Sequence, residues 1–546
     1  MSRIAIAILL FLAACVPEGG EQGRAAFPRG RDATTHRRPL ERVASMDPIQ
    51  ASAVYDSRAV SLVYEPLLEV DYETRPYRLK AGVCDLPDVS TDRLAYTFRL
   101  RDGVRFQDDP CFPDGKGRLA TAEDIVYSLE RLRDPKNASS GMWTMDYVEG
   151  IKTIDARTVT ITLKKPFHVF PWLMAMAYSA IVPHEAVEAY KEKFGLHAVG
   201  TGPYRLAEWW RNYRMIFTRD AGWRGWTEIA NPAPYDKIEY VVVGDLSTQW
   251  LMFLGKELDC LGGVDRNNWD AVVGADGKLV PSLAAQGVRL LAAPTLQVMY
   301  VGINMDDPLL GKNKKLRQAL NCAFDAPAWK KFLNDRVEPA DGPLPPGVDG
   351  RLETPFAYAF NVEKAKKLLV EAGFPDGIDP KTGKRLVIPI ALGRADQGAR
   401  EEVELLQGFY DRVGIRLEPQ FMTWAAYLKA VSDGHTTLFM LGWVGDYPDA
   451  ENFLQLFHSK NCSPGANHGN YRNPEFDKCY DEAMAAVTPE ARQAAWTRAQ
   501  EIVREDCPWI FLYFPKSFSI LWDHVGNYRL TDFPYGTEKY LRRRTP

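Results

Sequence analysis

Outside residues 4–14, no apolar segment of this 546-residue chain approaches the roughly 20 residues a membrane-crossing helix needs. Basic excess is missing too: 67 Lys and Arg face 71 Asp and Glu, for a net charge of -4. With no surplus of cations to neutralise a phosphate backbone, a nucleic-acid partner is not expected. Eight histidines are a thin supply for metal or acid–base chemistry, and His184-Glu185 lacks the second histidine of a zinc-protease helix. The sequence holds no G-x-x-x-x-G-K-[ST] or G-x-G-x-x-G loop to cradle phosphates, and no G-x-S-x-G nucleophile elbow. Without Cys-x-x-Cys spacing, neither a zinc nor a redox site is indicated. No cofactor or metal is expected, and binding is favoured over catalysis.

What is present points to an exported globular body. Hydrophobic residues make up 46% and charged residues 25%, the usual balance of folded domains, with enough length for three or four units. Arg3 followed by the apolar run at 4–14 fits the n- and h-regions of a secretory signal. Leu12-Ala13-Ala14-Cys15 resembles a bacterial lipobox, which would make 1–14 a signal peptide and Cys15 a lipid-bearing N-terminus. The protein is thus expected on the periplasmic or cell-surface side, held to a membrane only by lipid on Cys15. Residues 16–45 carry four Gly, three Pro and six Arg without strand or helix period, and are expected to form a flexible tether. Export permits disulfides among the seven remaining cysteines, with Cys84–Cys111 and Cys462–Cys479 closest in sequence and at least one thiol left over.

The body alternates strand-like runs with amphipathic helices, an α/β pattern. Strands are expected at 96–100, 158–163, 238–243, 298–304, 387–391 and 438–443. Helices are expected at 122–133, 316–322, 362–372, 398–413 and 491–505. Thr121 and Asp124 have capping-box spacing, with Ile125, Val126, Leu129 and Leu132 on one face and Asp134-Pro135 as the stop. Asn361 and Gly373 bracket the third helix in the same way.

Several stretches, taken in chain order, resemble the extracellular solute-binding proteins of the peptide and nickel transport group, the oligopeptide- and dipeptide-binding family 5. They begin with Asp47-Pro48 and Leu62-Val63-Tyr64-Glu65-Pro66-Leu67-Leu68, and continue with the helix from Thr121-Ala122-Glu123-Asp124 to Arg131. Val199-Gly200-Thr201-Gly202-Pro203-Tyr204 follows, then Pro343-Leu344-Pro345-Pro346 and the run from Ala365 to Phe374. Gly442-Trp443-Val444-Gly445-Asp446-Tyr447-Pro448-Asp449 comes last. The resemblance implies a two-lobed periplasmic-binding-protein fold with a hinge and an inserted domain. Lobe I would comprise 46–70, 196–290 and 509–546, the insert 71–195, and lobe II 291–508. The Gly200–Pro203 run would be structural. The segment 107–117 is longer than the family's short turn and would alter the surface.

The resemblance further implies a non-enzymatic component of an ABC importer, a monomer that captures a small ligand and delivers it to a permease driven by ATPase subunits. Asp446 would receive the α-ammonium of a peptide, an attraction of about 4 kcal/mol at 4 Å and an effective dielectric near 20. Trp443 and Tyr447 would wall the site and add cation–π attraction. Arg394 is a possible partner for the ligand's carboxylate, though no motif carries that assignment. The same fold could instead hold an oligosaccharide, a nickel chelate or haem, and an exported hydrolase is the rival from another class.

Overall fold

The computed structural model describes residues 32–544, apart from Asp265, Ala275 and Asp276. The expected signal peptide, 1–14, and Cys15 therefore lie outside the described residues. Three main sheets organise the chain. In the first, Thr35–Leu40 runs parallel to Lys237–Val242, which pairs antiparallel with Arg214–Arg219, itself paired with Tyr204–Trp210. The second, in the region expected as an insert, places Ala95–Arg99 and Thr158–Leu163 at its centre, flanked by Asp88–Val89 and Val148–Asp155. The third is built on Gln297–Ile303, antiparallel to both Leu438–Val444 and Trp509–Trp522. Val387–Leu392 and Arg416–Phe421 extend it as parallel strands.

The local grammar of the sequence accounts for the helices. Ala122–Arg133 starts where the Asp124 carboxylate accepts the Thr121 backbone N–H at 2.8 Å, and it buries Ile125, Leu129 and Leu132. Val362–Glu371 starts at Asn361, whose side chain accepts from the Lys364 N–H at 2.9 Å, and Gly373 follows at φ +88°. Gln397–Asp411 is capped by Asp396 and buries Ala399, Val403, Leu406, Phe409 and Tyr410 at the spacing of one helical face.

Three expectations need correction. The tether does not reach residue 45, because Thr35–Leu40 is a strand with Thr35, His36, Arg38 and Leu40 buried. Distant carboxylates hold it there, Glu538 meeting Arg38 at 3.3 Å. Arg37 Nε lies 2.8 Å from Glu239, and the Arg37 N–H donates to Asp259 at 2.6 Å. The lobe boundaries also move. Position 290/291 falls inside Val288–Pro294, and 508/509 falls at the head of a 14-residue strand. The first half of that strand pairs with Gln297–Ile303 and the second half with Val288–Pro294. The chain thus crosses between lobes on two adjacent segments, 294–297 and 513–516. Finally, all seven cysteines among the described residues are free thiols, and neither expected pair is bonded.

The Gly200–Pro203 run has the structural role expected of it. A Cβ on Gly200 would lie 2.1 Å from the Val63 carbonyl oxygen, and the Gly202 N–H donates to that oxygen at 2.7 Å. Gln107, buried at the start of the long 107–117 segment, donates to the Gly202 and Tyr204 carbonyls at 3.1 and 2.8 Å. It fastens the 107–117 segment to the Gly200–Tyr204 run.

Candidate ligand-binding site

The strand Leu438–Val444 delivers the chain to a loop, 445–449, and Asp449 then caps the short helix Ala450–Leu454. Two glycines make this path possible. A Cβ on Gly442 would sit 2.4 Å from Met299 Sδ, and one on Gly445 would sit 2.7 Å from Phe453 Cζ and 3.2 Å from the Leu296 oxygen. The Gly445 N–H donates to that same oxygen at 2.7 Å, so the loop lies directly on a lobe-crossing segment.

Asn452 organises the loop. Buried, it accepts hydrogen bonds from Trp443 Nε1 at 2.9 Å and from the Asp446 N–H at 3.1 Å, and its amide donates weakly to the Asp446 carboxylate at 3.4 Å. Sequence reasoning missed this residue. Its one signal was its position six residues after Asp446, at the start of a helix.

Asp446 retains open surface, yet protein crowds it enough that burial raises its carboxyl above the usual range, against the opposing hydrogen bond from Asn452. No lysine, arginine or histidine among the described residues forms an ion pair with it. Tyr178 and Tyr535, distant in sequence, both lie close enough to feel its charge. Trp443 is half-buried beside it, aimed by its bond to Asn452.

Tyr447 occupies a different place from the one expected. It is 4% exposed and packs into the core of lobe I and the insert. Its hydroxyl donates to Glu451 at 2.6 Å, and Tyr480 donates to the other oxygen of that carboxylate at 2.7 Å. Burial pushes the Glu451 carboxyl up, against the two phenol hydrogen bonds that favour its ionised form. Asp449 forms a bidentate pair with Arg492 at 2.8 and 2.9 Å. Arg394 is engaged by Glu402 and Asp396 at the surface.

Beside the loop opens a cavity of about 650 Å³ between the insert and lobe II. Tyr77 and Trp172 line one side, and Pro448, Asp449, Arg492 and Trp496 the other. Its size and mix of aromatic and charged lining suit a small organic ligand. Among the described residues no cluster of His, Cys, Asp and Glu could hold a metal ion. No helix among them is long and apolar enough to cross a membrane.

Two lobes, paired crossing segments and an aromatic-lined cleft define a solute-binding protein. Residues 78–465, well over half the chain, match the family model described as bacterial extracellular solute-binding proteins, family 5. The chain belongs to that family, whose members serve ABC importers and are not enzymes. It is 28% identical over 495 residues to heme-binding protein A of Haemophilus influenzae, covering 87% of this chain and 85% of that one. It is 27% identical over 483 residues to the glutathione-binding protein GsiB of Escherichia coli O1:K1, covering 87% and 88%. In fold it is similar to HbpA2 from Haemophilus parasuis, with a TM-score of 0.82 at 22% identity, over 94% of this chain and all of that one.

Proposed function

We propose that this protein captures a short peptide, or a peptide-like molecule with a free ammonium, between its lobes for an ABC permease. One observation carries the reading: Asp446 is a partly desolvated carboxylate, and no cation among the described residues is paired to it. Such a group costs free energy until a cation arrives, and an ammonium supplies one. Trp443 offers a flat face beside it, while Tyr447 and Asn452 act as positioning residues that hold the loop. The glutathione bound by the relative GsiB is a small peptide, which agrees with this class; the haem bound by the relative heme-binding protein A is the competing class.

Ligand bridging Asp446 and the facing tyrosines makes contacts that exist only when the lobes are together. That differential affinity shifts the population toward closure about segments 294–297 and 513–516. Lipidation at Cys15 and removal of residues 1–14 complete the proposal, placing the body outside the cytoplasm on a membrane tether.

Mass spectrometry of whatever is released on denaturing the purified body tests the reading. Peptides sharing a free N-terminus support it, and a single amine-free species sinks the peptide assignment. The intact mass of chain extracted from membranes reports the lipid: a diacylated N-terminus at Cys15 is expected, and an unmodified cysteine refutes the anchor.

A further inference from the structure

A second cavity, of about 160 Å³, lies inside lobe I next to the crossing strand Trp509–Trp522. Arg38, Arg58 and Arg529 line it, together with Ser517, Ser519 and Tyr528. The charges around it do not balance. Arg38, 4% exposed, meets Glu538 at 3.3 Å, but Glu538 also accepts from the Tyr240 hydroxyl at 2.9 Å. Arg38 Nε is buried with no hydrogen-bond partner. Arg58 makes no ion pair among the described residues, and its one hydrogen bond runs from Nε to the Pro534 carbonyl at 3.3 Å. Arg529 donates to the Glu73 carbonyl rather than to a carboxylate. One acidic partner therefore serves three guanidinium groups. Burial, followed by repulsion from Arg38, lowers the Arg58 pKa. The Ser519 and Tyr528 hydroxyls sit 3.2 Å apart on the wall and add neutral donors.

Cations crowded around one carboxylate repel one another, and guanidinium forks match the oxygens of carboxylate and phosphate. We propose that this cavity is a binding site for an anionic oxygen group, a carboxylate or phosphate. Arg58 is its principal ligand, with Arg38 Nε and the Ser519–Tyr528 pair completing the shell. The cavity wall is carried partly by the segment 528–534, which leads to Tyr535, a residue close enough to both Arg58 and Asp446 to feel each charge. Resting on the peptide-like reading of that cleft, the cavity holds the acidic group of the same cargo. A free anion is the other source of the same chemistry.

The test uses the full mature chain, stripped of cargo by unfolding and refolding, with inorganic phosphate and with succinate as probes. Thermal shift and calorimetry are read against chloride at matched ionic strength. Phosphate or succinate should raise the wild-type Tm above the chloride control. Arg58→Gln should weaken the apparent Kd at least tenfold, Arg58→Lys should recover part of the loss, and Asp446→Asn should leave anion binding unchanged. Arg58→Gln removes an unpaired cation, so its melting temperature without anion should not fall; Arg529→Gln, at an exposed position, gives a second reading with a smaller loss. No anion-specific shift in the wild type, or an equal shift in Arg58→Gln and Arg529→Gln, overturns the site. Repeating the titration on protein that retains its cargo separates the sources. A shift that vanishes shows the cargo's own acid in the cavity, and one that persists shows a free anion. Failure of the peptide reading appears separately, as indifference of cargo binding to Asp446→Asn.

Discussion

Asp446→Asn isolates the charge on which the proposed function rests. The substitution keeps the side chain's shape and its place beside Asn452, and removes only the carboxylate. At 4 Å a bare Coulomb term would be about 4 kcal/mol at a dielectric near 20. Asp446 keeps open surface, so screening reduces that figure, and the range for a charge-assisted hydrogen bond, about 1.5–3 kcal/mol, is the better guide. Affinity for an amine-bearing peptide should therefore fall by about 10- to 150-fold in calorimetry. Stability should move the other way. Because the folded carboxyl is raised above its ordinary value, its ionised form burdens the empty protein at neutral pH. Ligand-free Asp446→Asn should melt no lower than wild type. The pH dependence follows from the same sign. As pH falls through the raised folded value, protonation relieves the empty fold but removes the acceptor for the ammonium, so peptide affinity drops. In Asp446→Asn that pH dependence should be lost. Unchanged peptide affinity together with a lower melting temperature would refute the reasoning, since Asp446 would then be a structural carboxylate.

Substitutions at four further positions probe the frame. Asn452→Ala leaves the Trp443 indole N–H and the Asp446 N–H without their acceptor; a cost of about 2 kcal/mol in urea unfolding is expected, along with weaker ligand binding. Arg492→Ala strips a largely buried Asp449 of both its guanidinium hydrogen bonds, leaving only the Glu451 N–H, and should cost about 3 kcal/mol, with Arg492→Lys recovering only part because it cannot pair bidentately. Gly408→Ala, within the helix Gln397–Asp411, adds a methyl with nothing inside 4 Å and should raise stability by about 0.5–1 kcal/mol. Gly445→Ala, blocked by Phe453, should lower it by about 1–3 kcal/mol.

The sequence alone determined the elements whose causes are local. The helix Ala122–Arg133 was readable because its cap, apolar face and stop all fall within 15 residues, and those short-range terms act in any fold. The family resemblance brought Asp446 and Trp443 into view, and in the structure both are bonded to Asn452. Tertiary structure alone decided what depends on partners far along the chain. Thr35–Leu40 reads as a polar tether until Glu239, Asp259 and Glu538, hundreds of residues away, bury and neutralise it. Tyr447 has the composition of a cleft wall, yet Glu451 and the core of lobe I and the insert claim it. Asn452 is one polar residue among many until folding sets its amide against Trp443 and Asp446. Periodicity and capping are written within a few turns of chain, whereas the burial of a charge depends on which distant group arrives to meet it.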